Sequence, residues 1–286
     1  GSDTSTRSLP RKVNLSGTAT ALYPGTRSMY AVMSDATLYA WGYNAYGQLG
    51  NGNAINQLSP VRVGTLTGVT KVATTNPFHN ATDNSNPGTT ACALTTAGAV
   101  HCWGYNAHGQ VGNGNITTPQ TNPVSVISSG VADIYGGGDD FGYFCAKLTD
   151  GTAKCWGYNG QGNLGDGTTI NKTVPTVVTS LINVSSMSLG GSNLSGSRHA
   201  CAVITNGTVR CWGYNTTYSL ARGDGTTTAQ STPFTIPGIS TATKVYATEF
   251  SNYIVLSDGT VRAWGYNGNG QLGDNTVLLK TTPITP

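Results

Sequence analysis

The tetrapeptide Trp-Gly-Tyr-Asn begins at Trp41, Trp103, Trp156, Trp212 and Trp264, and these are the five tryptophans of the chain. Each copy runs into a glycine-punctuated turn: AYGQLGNG, AHGQVGNG, GQGNLGDG, TTYSLARGDG and GNGQLGDN. A unit kept five times at intervals of 52 to 62 residues constrains the fold more tightly than any compositional figure. Such a chain stacks one supersecondary unit on the next, because no unit buries its apolar face alone. The 286 residues therefore predict one body of five units rather than two average domains.

Within each unit the pattern repeats. A short strand such as Thr70-Lys71-Val72-Ala73 or Thr243-Lys244-Val245-Tyr246 comes first, and a variable loop follows. A hairpin comes next, as in Ala200–Ile204 and Thr208–Trp212, then the Trp-Gly-Tyr-Asn turn. A last strand follows a proline, at Pro60, Pro123, Pro175 and Pro233. Four short strands per unit predict an all-β chain, a single β-propeller of five four-stranded blades. The units are placed at about 17–68, 69–130, 131–183, 184–241 and 242–286. Residues 1–16 lack the motif, but SLPRKVNLSG resembles LSPVRVGTLTG at 58–68, and the terminal TTPITP stops partway through that segment. The expectation is that this N-terminal strand pairs into the final blade and closes the ring, removing open sheet edges. Gly1-Ser2 has the look of an expression scar or a processed end.

Each residue of the motif has a physical use. Tryptophan buries roughly 150–250 Å² and still needs an acceptor for its indole N–H. The glycine lets another backbone approach, or a positive φ. Asparagine tolerates turn conformations and bonds nearby backbone. All five tryptophans read as joints between blades.

The six cysteines fall in three pairs, Cys92/Cys102, Cys145/Cys155 and Cys201/Cys211, each ten positions apart about a turn centred on Ala97, Asp150 or Asn206. A short hairpin loop places such positions directly opposite one another across two strands. The terminal units replace both partners together, with Tyr30 and Ala40 in the first and Tyr253 and Ala263 in the fifth. Three disulfides are expected, and with them an oxidising, extracytoplasmic compartment. The competing reading is three pairs of buried free thiols. Zinc is disfavoured, since close Cys-x₂₋₄-Cys spacing is missing.

Charged residues make up 9% of the chain, so the surface must be built from Thr, Ser, Asn, Gln and Gly, as on many exported bacterial proteins. The net charge is +3, and Arg11-Lys12 is the one adjacent basic pair. No basic stripe exists for a phosphate backbone, which argues against nucleic acid. No run reaches the roughly 18 apolar residues of a membrane helix.

The order of glycine-rich loop, apolar hairpin with an Asp/Asn-Gly turn, W-G-x-N-x-x-G-Q-L-G-x-G and Pro-x-x-Val resembles the regulator-of-chromosome-condensation (RCC1) repeat over residues 17–286. The resemblance implies a β-propeller. The best-known members have seven blades, and this chain supplies five. Guanine-nucleotide exchange and nucleosome binding, known in the eukaryotic namesake, do not suit a chain of this character. A secreted bacterial relative that inhibits β-lactamases implies that the fold can be a secreted protein-binding platform.

No catalytic constellation stands out, so the chain reads as a non-enzyme without cofactor or metal. The histidines His79, His101, His108 and His199 lie in no metal-helix or nucleophile motif. His101 is expected at the surface. His108 takes a turn position held elsewhere by Tyr46, Gln161 and Asn269 and reads as turn decoration. Asp139-Asp140 is too small a set for calcium. Arg222-Gly223-Asp224 spells an integrin-type tripeptide, but its Gly-Asp belongs to the repeat. Asn-x-Ser/Thr sites occur at Asn14, Asn80, Asn115, Asn171, Asn183, Asn193, Asn206 and Asn215, as expected by chance in so Asn- and Thr-rich a chain.

Function in a propeller sits on what does not repeat. The loop before the hairpin grows in units two to four: NPFHNATDNSNPGTT (76–90), GGGDDFGYF (136–144) and GGSNLSGSRH (190–199). Unit four also carries two extra residues around Tyr218. The candidate binding face is Phe78, His79, Asp139, Asp140, Phe141, Tyr143, Asn193, Arg198 and Tyr218, with aromatics and one arginine as anchors. The expected role is an extracellular or cell-surface, non-enzymatic binding or adhesion module whose partner is a protein or another macromolecule. Two alternatives stand beside it: a lectin holding glycans between blades, and the exposed domain of a pilus or surface layer.

Overall fold

Each hairpin is set by its turn. In the first, Asp35 Oδ1 accepts from the backbone N–H and the hydroxyl of Thr37, and Ala36 takes a φ of 58°. Gly98, Gly151, Gly207 and Gly259 fill that left-handed position in the other units, where a side chain is strained.

The computed structural model describes residues 12–75, 89–138, 141–191, 196–216, 219–220 and 222–286. These form five four-stranded antiparallel sheets and no helix. The first holds β1 (Ala19–Pro24), β2 (Ser28–Met33), β3 (Leu38–Gly42) and β4 (Gln57–Arg62). The second holds β5 (Val69–Thr74), β6 (Thr90–Thr95), β7 (Val100–Gly104) and β8 (Gln120–Ile127). The third holds β9 (Val131–Gly137), β10 (Tyr143–Leu148), β11 (Ala153–Gly157) and β12 (Lys172–Val177). The fourth is β13 (Val184–Gly191), β14 (Arg198–Ile204), β15 (Val209–Gly213) and β18 (Gln230–Thr235), with the ribbon β16 (Asn215–Thr216) and β17 (Ser219–Leu220) inserted before the last strand. The fifth is β19 (Ala242–Ala247), β20 (Ser251–Leu256), β21 (Val261–Gly265) and β22 (Lys280–Ile284). Strand order follows the sequence in every sheet, the meander of a propeller blade.

The register pairs Cys92 with Cys102, Cys145 with Cys155 and Cys201 with Cys211. All three are disulfides, with Cα atoms 4.1 Å apart. In the outer sheets Tyr30 faces Ala40 and Tyr253 faces Ala263 at the same register.

The expected closing strand falls mostly outside the described residues. The fifth sheet draws all four strands from its own repeat, and residues 12–18 form no strand. Residues 1–11, which carry most of that segment, lie outside the described residues. The first three sheets' turns explain why the fourth strand can be local: a glycine-rich turn returns the chain directly beside its own third strand.

Four apolar clusters join neighbouring sheets: first to second, second to third, third to fourth and fourth to fifth. A tryptophan lies at the heart of each. The indole N–H groups of Trp103, Trp156 and Trp212 donate to the carbonyls of Gln48, Gln110 and Asn163 in the preceding blade, at 2.8, 3.0 and 2.9 Å. Trp103, Trp156, Trp212 and Trp264 are fully buried, whereas Trp41 is half-buried. The motif's glycine has a second reason besides its positive φ. A Cβ on Gly42, Gly104, Gly157, Gly213 or Gly265 would strike the carbonyl that closes the loop alongside.

Candidate binding face

Those carbonyls fix which ends of the blades share a surface. The N–H groups of Tyr43, Tyr105, Tyr158, Tyr214 and Tyr266 donate to Arg27, Thr89, Gly142, Arg198 and Phe250 O. Every motif tyrosine therefore sits beside the variable loop of its own blade. Loops and tyrosines form one face. Below each tyrosine the motif asparagine is locked. Asn159, for example, donates to Thr168 O and Ile170 O at 3.1 Å and accepts from the N–H of Leu164 at 2.9 Å. Asn44, Asn106 and Asn267 are likewise fully buried. A rigid floor under the face costs little ordering entropy on binding.

Across the first to fourth blades this face carries a continuous aromatic run. Tyr46 meets Tyr105 edge-on at 5.3 Å between centroids, and Tyr105 meets His108 at 6.4 Å. His108 stacks on Phe141 at 4.7 Å, and Phe141 meets Tyr158 at 5.0 Å. The Arg198 guanidinium lies 5.0 Å from the Phe141 ring and 4.9 Å from Tyr158, and its Nε donates to Phe141 O at 3.1 Å. Arginine over aromatic faces is a stabilising cation–π arrangement. Phe141 remains 37% exposed at the top of the stack, while Arg198 is buried beneath it. Burial first, and then the Arg198 charge, hold the His108 imidazole below its usual pKa.

The structure brings Phe141 and Arg198 together. Tyr143 is a correction. It opens β10 and is fully buried, its hydroxyl donating to His199 O at 2.5 Å with Gly190 O at 3.1 Å. Phe78, His79, Asp139, Asp140, Asn193 and Tyr218 lie outside the described residues. His108 is also corrected, from turn decoration to a stacking member of the run. Tyr46, Tyr105 and Tyr158 were missed. The signal for Tyr105 and Tyr158 was available, since a tyrosine immediately after a hairpin strand must emerge where that hairpin's entry loop lies; Tyr46 holds the turn position of His108. His101 is half-buried rather than plainly exposed, and burial lowers its pKa.

Other candidates fold inward. Arg222 pairs with Asp224 at 2.6 Å and covers the Phe234 ring at 4.3 Å, so the tripeptide's two charges are used on each other. Asn215 is buried, and Asn171 Oδ1 accepts from the N–H of Asn159. The spaces between the first and fifth blades' neighbours are filled by buried indoles, which leaves those four tryptophans out of reach of a glycan. Among the described residues no group of three or more His, Cys, Asp or Glu could hold a metal, and no helix is long and apolar enough to cross a membrane.

A model of the regulator of chromosome condensation (RCC1) repeat matches residues 35–76 and 150–194, and a second model of that repeat matches 88–110, 195–218 and 242–271. Together they take in more than half of the chain. The chain is 26% identical over 258 residues to the ultraviolet-B receptor UVR8 of Arabidopsis thaliana, covering 88% of this chain and 54% of the receptor. It is 29% identical over 269 residues to the secretion-regulating guanine nucleotide exchange factor of Bos taurus, covering 90% and 54%. It is 29% identical over 218 residues to the human E3 ubiquitin-protein ligase HERC2, covering 75% of this chain and 4% of that protein. The chain thus spans about half the length of the first two. Among solved structures, Prp20p of Saccharomyces cerevisiae superposes with a TM-score of 0.70 at 18% identity, covering 93% of this chain and 63% of that one. Human WBSCR16 gives 0.69 at 21%, covering 91% and 65%. At such identities the two structures speak for the fold alone.

Proposed function

This chain belongs to the RCC1-repeat family, and from that premise we propose that it is a non-enzymatic protein-binding module working through its loop face. One observation carries the reading: the run from Tyr46 to Arg198, with Phe141 exposed at its crest. Aromatic rings held rigid by their neighbours, backed by an arginine, are the residue types that dominate interface energetics. One neighbour in fold, Prp20p (yeast RCC1), is described as binding Gsp1p and histones and as bound to Kap60, which supports the role without naming a partner here. The three disulfides support an extracytoplasmic site of action, at a cell surface or beyond it.

The test is the double variant Phe141→Ala with Tyr158→Ala. Both side chains are at the face, so near-ultraviolet circular dichroism of the buried tryptophans should be unchanged. Affinity for a partner isolated with the parent chain should fall at least tenfold, the ordinary consequence of removing hot-spot aromatics. Unchanged affinity in a folded double variant would move the binding site off this face.

A further inference from the structure

Two of the inner strands end in glycine where they reach the loop face. β9 closes on Gly136 and Gly137, with Gly138 after it, and β13 closes on Gly190 and Gly191. The repeat does not demand this. At the register of Gly136, opposite Phe144, the second, fourth and fifth blades carry Thr74, Leu189 and Ala247, opposite Ala91, Ala200 and Asn252. The reason is local and steric. A Cβ on Gly136 would strike Thr74 O, one on Gly137 would lie 2.5 Å from the Leu189 side chain, and one on Gly190 would strike Thr248 O. The inner ends of the second to fifth blades therefore approach one another backbone to backbone.

A cleft of about 290 Å³ opens between the ends of β9, β13 and β19. The glycines form its backbone walls, Leu189 and Ala247 give it apolar surface, and Glu249 is the one ionisable group in its lining among the described residues. Glu249 Oε1 is shut off from solvent and meets no hydrogen-bond donor. The donors around it are committed elsewhere. The Thr248 hydroxyl donates to Ser251 O at 2.9 Å and accepts from the Ser251 N–H at 3.1 Å. Ser197 Oγ donates to the Glu249 carbonyl at 3.2 Å rather than to its carboxylate. The Arg198 guanidinium lies over the Phe141 and Tyr158 rings. A buried carboxylate oxygen without a donor is costly, so such a group calls for an explanation.

We infer that this cleft receives the ammonium group of a lysine side chain of the protein partner, paired with Glu249. The inference rests on the loop face being the binding face, because the cleft opens onto it: a Cβ on Gly138 would lie 3.1 Å from Phe141 O and 3.5 Å from Arg198 Nε, at the crest of the aromatic run. The charge of Glu249 opposes an anion and attracts a cation. Leu189 and Ala247 suit the apolar four-carbon stem of a lysine, which is buried while its head keeps a polar partner. A compact ammonium reaches a single enclosed oxygen, whereas the planar guanidinium fork is matched to both oxygens of an open carboxylate.

The test is an amide-resolved nuclear magnetic resonance titration of the isotope-labelled 286-residue chain with Nα-acetyl-lysine methylamide, beside its norleucine and arginine analogues. The lysine probe should shift the amides of Gly137, Gly138, Gly190 and Thr248 saturably, at about millimolar concentration for a ligand of fragment size. The norleucine probe should leave them unmoved. Glu249→Gln, which keeps the shape and removes the charge, should weaken the lysine response at least about tenfold, with amide shifts far from the cleft as in the parent. An absent lysine response, a norleucine response equal to it, or an undiminished response in Glu249→Gln overturns the inference. A stronger response to the arginine analogue overturns it in favour of a guanidinium ligand. The titration uses no partner, so its failure leaves the loop face standing, while the Phe141→Ala and Tyr158→Ala variant judges that face by itself.

Discussion

His199 shows how one residue type was hard to place from its neighbours in the chain. It follows Arg198, whose guanidinium reaches the face, yet its own side chain points into the blade and is fully buried. There its Nε2 meets Asn252 Oδ1 at 2.8 Å. Burial lowers its pKa to about 4, while the Asn252 contact pulls weakly the other way. The folded protein thus holds a neutral imidazole that the unfolded chain protonates near pH 6.5. The unfolded state binds the extra proton between those values, so stability is full above pH 6.5 and falls as pH drops towards 4. The loss amounts to about 3 kcal/mol by this group alone, an order-of-magnitude figure. Urea unfolding at pH 7 and pH 4.5 should show a smaller pH dependence for His199→Gln than for the parent. Equal slopes would mean that His199 does not carry it. The same alternation explains the misplacement of Tyr143. Two residues beyond Phe141, just past Gly142, the loop has already become β10. His108 was misjudged because its equivalents in other repeats are mostly polar, and its stacking partner comes from a loop of the next blade.

The hairpin was the most legible element. Its turn chemistry, its two-residue alternation and the paired replacement of both cysteines in the outer units all specify one register, and that register is observed. The paired replacement also has a use. Tyr30 and Tyr253 cross to the carbonyls of Gln48 and Gln271, so a tyrosine–alanine pair ties the hairpin to its own glycine turn as a disulfide ties it to itself. In the third blade the equivalent carbonyl is that of Asn163, which already accepts from Trp212 as Gln48 O accepts from Trp103. Cys145→Tyr with Cys155→Ala should therefore fold. Cys145→Ala with Cys155→Ala should lose about 2–3 kcal/mol, the typical worth of a short disulfide loop, and the tyrosine pair should recover part of it. Guanidinium unfolding of the three proteins decides this. A tyrosine pair less stable than the alanine pair would show that the cross-strand site cannot hold the ring. The fourth strands were legible from their prolines. The place of SLPRKVNLSG was not, because it and its counterparts are alike in sequence whichever blade they serve.

At the scale of the molecule, stability in a repeat array is a sum of blades and nearest-neighbour joints. The second, third and fourth blades each have a joint on both sides and a disulfide within. The first and fifth have one joint each and no disulfide. Ion pairs do not redress the balance, since Lys172–Asp166 and Lys280–Asp274 are equivalent pairs within the third and fifth blades, at 2.9 and 2.8 Å. Opening a terminal blade exposes one interface rather than two, so it should open alone and more often than its inner neighbours. Native-state hydrogen exchange should thus be slowest in β10 and β11 and at least tenfold faster in β1, β2, β20 and β21. Reducing the disulfides should narrow that range without levelling it, because the joints remain. A closed ring would behave otherwise. With five joints for five blades no blade is terminal, and the non-disulfide blades would gain protection from both sides. Uniform protection across all five sheets in reduced protein would therefore mean that the outer blades meet each other in solution. A gradient that persists there would mean that the first and fifth blades do not meet each other in solution.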